Sequence, residues 1–62
     1  MGTTYIPDVS DMGARDAVYL LENLGLRVEV YGRGTVRGQH PLPGALIRNG
    51  ELVKLEMSIT EG

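Results

Sequence analysis

A chain of 62 residues with no cysteine and a formal net charge of -2 describes one small domain held together by apolar packing alone. Disulfide frameworks and thiolate metal sites are excluded, and at this size only about 60% of the unfolded surface is buried, which leaves little space for a water-free catalytic cavity. Acidic and basic residues interleave along the whole chain, so the basic face of a nucleic-acid binder is missing, and no run approaches the ~18 apolar residues of a membrane span.

Met1 and Gly2 read as an expression start, the mark of a piece taken from a longer protein. Residues 1–5 are read as a linker, 6–59 as the domain and 60–62 as a tail. "TTYIPDVSDMG" is extended chain entering a turn, because Pro7 holds Ile6 out of the helical region and Asp8 can bond nearby backbone.

"GARDAVYLLENLGL" follows. Ala14, Ala17, Val18, Leu21 and Leu24 recur at helical spacing, with Leu20 beside the stripe and Arg15, Asp16, Tyr19, Glu22 and Asn23 facing away. Asp16 falls in the first turn, where the helix dipole favours an acid. Gly25 sits where a left-handed residue closes a helix, with Leu26 placed to fold back on Leu21.

Three strands are then predicted. "RVEVY" alternates with Val28 and Val30 inward, "TVRGQ" is shorter with Val36 inward, and "ELVKLEMSI" places Val53, Leu55 and Met57 inward. The expected fold class is α+β: one α-helix packed on a small three-stranded antiparallel β-sheet in the order α-β-β-β.

Catalytic chemistry finds little support. Ser10 and Ser58 are the two serines and His40 is the one histidine. Neither serine is followed three residues later by lysine, and no spacing favours a Ser-His-Asp arrangement. His40 by itself makes no metal site, and Asp8, Asp11 and Asp16 lack the alternation and glycine of a calcium loop. No enzyme activity, cofactor or metal is expected.

"GRG" at 32–34 follows a strand as a phosphate loop does, but no helix N-terminus comes after it to supply the anion donors. These glycines suit a tight connection between antiparallel strands instead, while "PLPG" and "RNG" supply further turns. The corners leave Arg33 and Arg37 together on a short exposed hairpin, where guanidinium groups could meet a carboxylate or phosphate bidentately. They are the candidate ligand-binding residues.

The ordered set of Pro7 and Asp8 ahead of Met12, Ala17 and Leu21 on the helix, Gly25-Leu26, Val28, Val36, Gln39, Pro41, Pro43-Gly44, Gly50, Val53 and Leu55 resembles the PASTA domain, the penicillin-binding protein and serine/threonine kinase associated module. The resemblance runs from about Ile6 to Met57. It implies an extracytoplasmic, non-catalytic module of a transpeptidase that cross-links peptidoglycan or of a kinase that monitors the cell wall, with the membrane anchor outside this chain. It also implies one of two roles. The domain binds unlinked peptidoglycan fragments or the β-lactams that mimic their stem peptides, or it is a structural spacer contacting the parent's transpeptidase domain, for which Tyr19, Tyr31 and Leu52 are the candidate exposed contacts. The short "GRG" connection resembles the single C-terminal copy on a division-type penicillin-binding protein more than a kinase repeat. Gly13 replaces the usual Ser or Thr cap, and Gly38 is expected to weaken the middle strand.

Overall fold

The computed structural model describes residues 3–59; residues 1–2 and the expected tail at 60–62 lie outside them. The elements are β1 (Thr3–Tyr5), α1 (Ala14–Asn23), β2 (Arg27–Tyr31), β3 (Thr35–His40), β4 (Leu46–Arg48) and β5 (Leu52–Ser58). The α+β class holds, with one helix lying on one face of a small sheet.

The helix forms where its apolar spacing requires. Ala17 and Leu21 are buried, together with Ile6, Val9, Leu26, Val36, Ile47, Val53, Leu55 and Met57. Side chains of the Leu21 or Leu55 kind contribute about 1.5–3 kcal/mol each on full burial. Gly13 caps the helix in an extended conformation with no side-chain bond. At the other end Gly25 adopts φ 84. Its N–H donates to the Glu22 carbonyl at 2.9 Å and the Leu26 N–H to the Leu21 carbonyl at 3.2 Å, the bond pair of a Schellman closure. Leu24, expected in the apolar stripe, is the C-cap and is exposed; the helix has already ended there.

The sheet is mixed, not purely antiparallel as expected. Its order is β2-β5-β3: β2 runs parallel to β5, and β3 antiparallel to it. The final strand is therefore the middle one, and the strand carrying Gly38 is an edge. Gly32, Arg33 and Gly34 do not close a hairpin. They step across the C-terminal end of β5, from one flank to the other. Two strand spacings amount to about 9.6 Å, within reach of three residues at ~3.3–3.6 Å each. The glycines make this crossing possible. Both have positive φ (84 and 110), and a Cβ on Gly32 would lie 2.7 Å from the Met57 carbonyl oxygen, while one on Gly34 would collide with that of Ser58.

A second, two-stranded sheet pairs β1 with β4 antiparallel, Tyr5 opposite Leu46 and Thr4 opposite Ile47. Pairing thus begins at Thr3, upstream of Ile6. Asp11 and Met12 bond Val36 from outside β3: the Asp11 N–H donates to the Val36 carbonyl, and the Val36 N–H to the Met12 carbonyl, both at 2.9 Å. Val30, expected inside, is 39% exposed on β2, an edge strand.

Candidate functional site

The register of the three-stranded sheet sets out the face turned away from the helix. Lys54 lies between Glu29 on β2 and His40 on β3, and Glu56 lies between Tyr31 on β2 and Gly38 on β3. An open groove of about 420 Å³ follows these rows, lined by Tyr31, Gly38, Gln39, His40, Lys54 and Glu56. Its volume falls within the ~300–1,000 Å³ of small-molecule sites. Gly38 leaves the groove open: a Cβ there would sit 3.4 Å from the Glu56 Oε1.

Tyr31 is fixed as a wall of this groove. Its hydroxyl donates to the Glu29 Oε1 at 2.6 Å. That hydrogen bond, and next the Glu29 charge, raise the phenol above its usual 10.0. A neutral ring, tethered to the Glu29 carboxylate, is held beside one cation, Lys54, and a second anion, Glu56. The arrangement suits a ligand carrying both an apolar or planar part and groups of either charge.

A β-bulge between Val36 and Gly38 sets the other residues. Arg37 is the extra residue, without a partner on β5, and the bulge turns it outward at the sheet edge. It also reverses the facing beyond it, so that Gln39, opposite Leu55, is buried. The Gln39 Oε1 accepts the Val9 N–H at 3.0 Å and its Nε2 donates to the Pro7 carbonyl at 3.0 Å. Gln39 therefore clamps the groove's strand to the segment that leads into the helix. His40 is the exposed last residue of β3.

Arg33 and Arg37 are both exposed, but the hairpin expected to carry them does not exist. Arg33 lies in the loop over the end of β5 and Arg37 in the bulge of β3. Arg37 directly precedes the groove residue Gly38, and Arg33 follows Tyr31 with Gly32 between them. Neither arginine lines the groove itself; both stand near its Tyr31 and Gly38 positions in the chain. Of the expected contact residues, Tyr19 and Tyr31 are exposed but Leu52 is half-buried. Sequence reading missed Lys54 and Glu56 as a pair, since their neighbours across the sheet depend on the pairing order.

The Ser10 hydroxyl donates to the Asp8 Oδ1 at 2.6 Å, which, with the Ser10 N–H, lowers the Asp8 carboxyl below its usual 3.8. Among the described residues no group of three His, Cys, Asp or Glu side chains is placed to hold a metal ion, and no helix is long and apolar enough to cross a membrane.

The family model of the PASTA domain matches residues 4–59. No curated protein and no solved structure matches the chain significantly. PASTA domains are non-catalytic, typically extracellular modules associated with penicillin-binding proteins and kinases. With the match spanning the helix and every strand from Thr4 to Ile59, the chain belongs to the PASTA domain family.

Proposed function

We propose that this PASTA domain is the cell-wall-binding module of a penicillin-binding transpeptidase, and that it takes the carboxylate-bearing stem peptides of peptidoglycan, or the β-lactams that mimic them, at the arginine end of the outer-face groove. In this reading Arg33 and Arg37 hold the ligand carboxylate, and the peptide lies along Tyr31, Lys54 and Glu56. The observation that supports it is an open groove on the outer face whose lining residues Tyr31 and Gly38 lie within two chain positions of the exposed Arg33 and Arg37. Charge-assisted, bidentate bonds to a carboxylate are what arginine does best.

The short Gly32–Gly34 crossing supports a single C-terminal copy on a division-type enzyme, since a kinase-type repeat carries a longer, acidic segment at that point. The place of action is then extracytoplasmic, with the parent anchored in the cytoplasmic membrane. The test is calorimetric titration with a soluble muropeptide. Each of Arg33→Ala and Arg37→Ala is expected to weaken binding about tenfold, the loss of ~1.5 kcal/mol or more that a hydrogen bond to a charged group carries. Unchanged affinity in both variants would contradict the site.

A structural role within the parent, with no ligand at all, is the second reading. The exposed apolar residues of the β1–β4 ribbon favour it.

A further inference from the structure

The three-stranded sheet ends on two edges, and they are finished differently. Along β3 the outer edge is taken. The Asp11 N–H and the Met12 carbonyl bond Val36, Gly13 bridges Thr35, and the bulge at Arg37 breaks the row. β2 has no such cover. Its five residues keep an unbroken register with β5 and include no proline. Among the described residues no turn or loop bonds the backbone of Val28 or Val30.

The Arg27 N–H donates to the Glu51 carbonyl at 3.0 Å, so Arg27 bonds toward β5. Successive backbone groups of a strand point to opposite sides, and Val28 and Val30 therefore turn their N–H and C=O groups to the open edge. Such a row is a template for a further strand, which proteins commonly blunt with lysine, proline or a bulge. β2 carries none of the three.

The side chains narrow the choice of strand. Arg27, Glu29 and Tyr31 alternate with the valines and are all exposed. Glu29 has Lys54 beside it on β5, whereas Arg27 has Leu52. Arg27 thus faces no acid across its own sheet. An incoming strand that sets a carboxylate opposite Arg27 and a cation opposite Glu29 complements both. β2 run antiparallel to itself is such a strand, in one register. Val28 against Val30 would put the two Glu29 carboxylates face to face. Val30 against Val30 would pair Glu29 with Tyr31 and leave Arg27 opposite Arg33. Only Val28 against Val28 brings Arg27 opposite Glu29, and it does so twice.

We infer that β2 is a self-association edge: two copies pair antiparallel about Val28, Arg27 of each opposite Glu29 of the other, to form one continuous sheet in the order β3-β5-β2-β2-β5-β3. Opposite charges set across an antiparallel pair favour it, and like charges oppose it. Residues opposed across such a pair share a face, so both outer-face grooves lie on the same side, their β5 strands about 14 Å apart. The inference does not depend on what the grooves take.

The test is sedimentation equilibrium of the 62-residue chain over about 0.05 to 2 mM. One strand pair covers less than the ~800 Å² per partner of a stable complex, so a reversible dimer with a Kd on the order of 0.1–1 mM is expected. Arg27→Glu and Glu29→Arg each set like charges opposite one another twice, and each should raise the Kd at least tenfold. Mixed together, the two variants restore opposite charges at both places and should associate as the wild type does. One chain carrying both exchanges should do the same alone. A wild type that stays monomeric at 2 mM would overturn the pairing. So would a single variant that dimerises as well as the wild type, or a mixture that associates no better than its separate components.

Discussion

Gln39 and Val9, thirty residues apart in the chain, are joined by a buried hydrogen bond of 3.0 Å from the Val9 N–H to the Gln39 Oε1. The same side chain donates to the carbonyl of Pro7, so one amide satisfies both directions of backbone polarity in the segment before the helix. Gln39→Leu keeps the volume and removes both bonds. It should lower stability by about 1–3 kcal/mol, the cost of a buried donor left without a partner, read as a shift in the urea midpoint. A variant as stable as the wild type would show that water takes over the bond.

Gly34→Ala tests the crossing over β5. Both Gly34 and Gly44 have positive φ, but a Cβ on Gly34 meets the Ser58 backbone, whereas one on Gly44 meets nothing within 4 Å. Gly44→Ala should therefore cost only the backbone penalty of about 1–2 kcal/mol, and Gly34→Ala clearly more. Equal losses in thermal unfolding would mean that the loop stands free of β5.

The helix start can be improved. Gly13 is extended (φ -70, ψ 161), with no side-chain cap, and a Cβ there would meet nothing within 4 Å. Gly13→Ser should raise stability by a few tenths of a kcal/mol through a hydroxyl bond to the first turn. A fall in the urea midpoint would indicate that the serine disturbs the bridge between residue 13 and Thr35.

Tyr31 carries a pH signature. Its folded phenol is raised above 10.0, so the neutral ring is favoured in the fold. The resulting stability is present below pH 10.0 and is lost as pH rises through the folded value. The phenolate absorbance that Tyr31→Phe removes should appear above pH 10.0, and Glu29→Gln should bring it down. A Tyr31 titration that ignores Glu29→Gln would dissociate the ring from the hydrogen bond that orients it.

These predictions separate what the residues announce locally from what only the assembled sheet defines. Helix α1 was legible because Ala17 and Leu21 repeat at helical spacing and Gly25 closes the end; β5 was legible because Val53, Leu55 and Met57 alternate with exposed Lys54, Glu56 and Ser58. Strands β1 and β4, at three residues each, are too short to establish a period. Alternation tells which side a residue faces but not which strand lies beside it, so the parallel pairing of β2 with β5 stayed hidden. The bulge at Arg37 then inverted the facing counted from Val36 and put Gln39 inside. A glycine at 38 within a strand was the available signal, since such glycines often mark a bulge. The arginines were singled out by charge, and the groove was not visible, because Lys54 and Glu56 acquire their neighbours only through the pairing order.

The central claim is that the outer-face groove and its arginine end bind the cell-wall peptide. The most direct measurement is an amide chemical-shift titration of the 62-residue chain with soluble muropeptide, repeated with a β-lactam. Saturable shifts confined to residues 31–40 and 54–56 are predicted. No shifts at millimolar ligand, or shifts confined to β1 and β4, would contradict it.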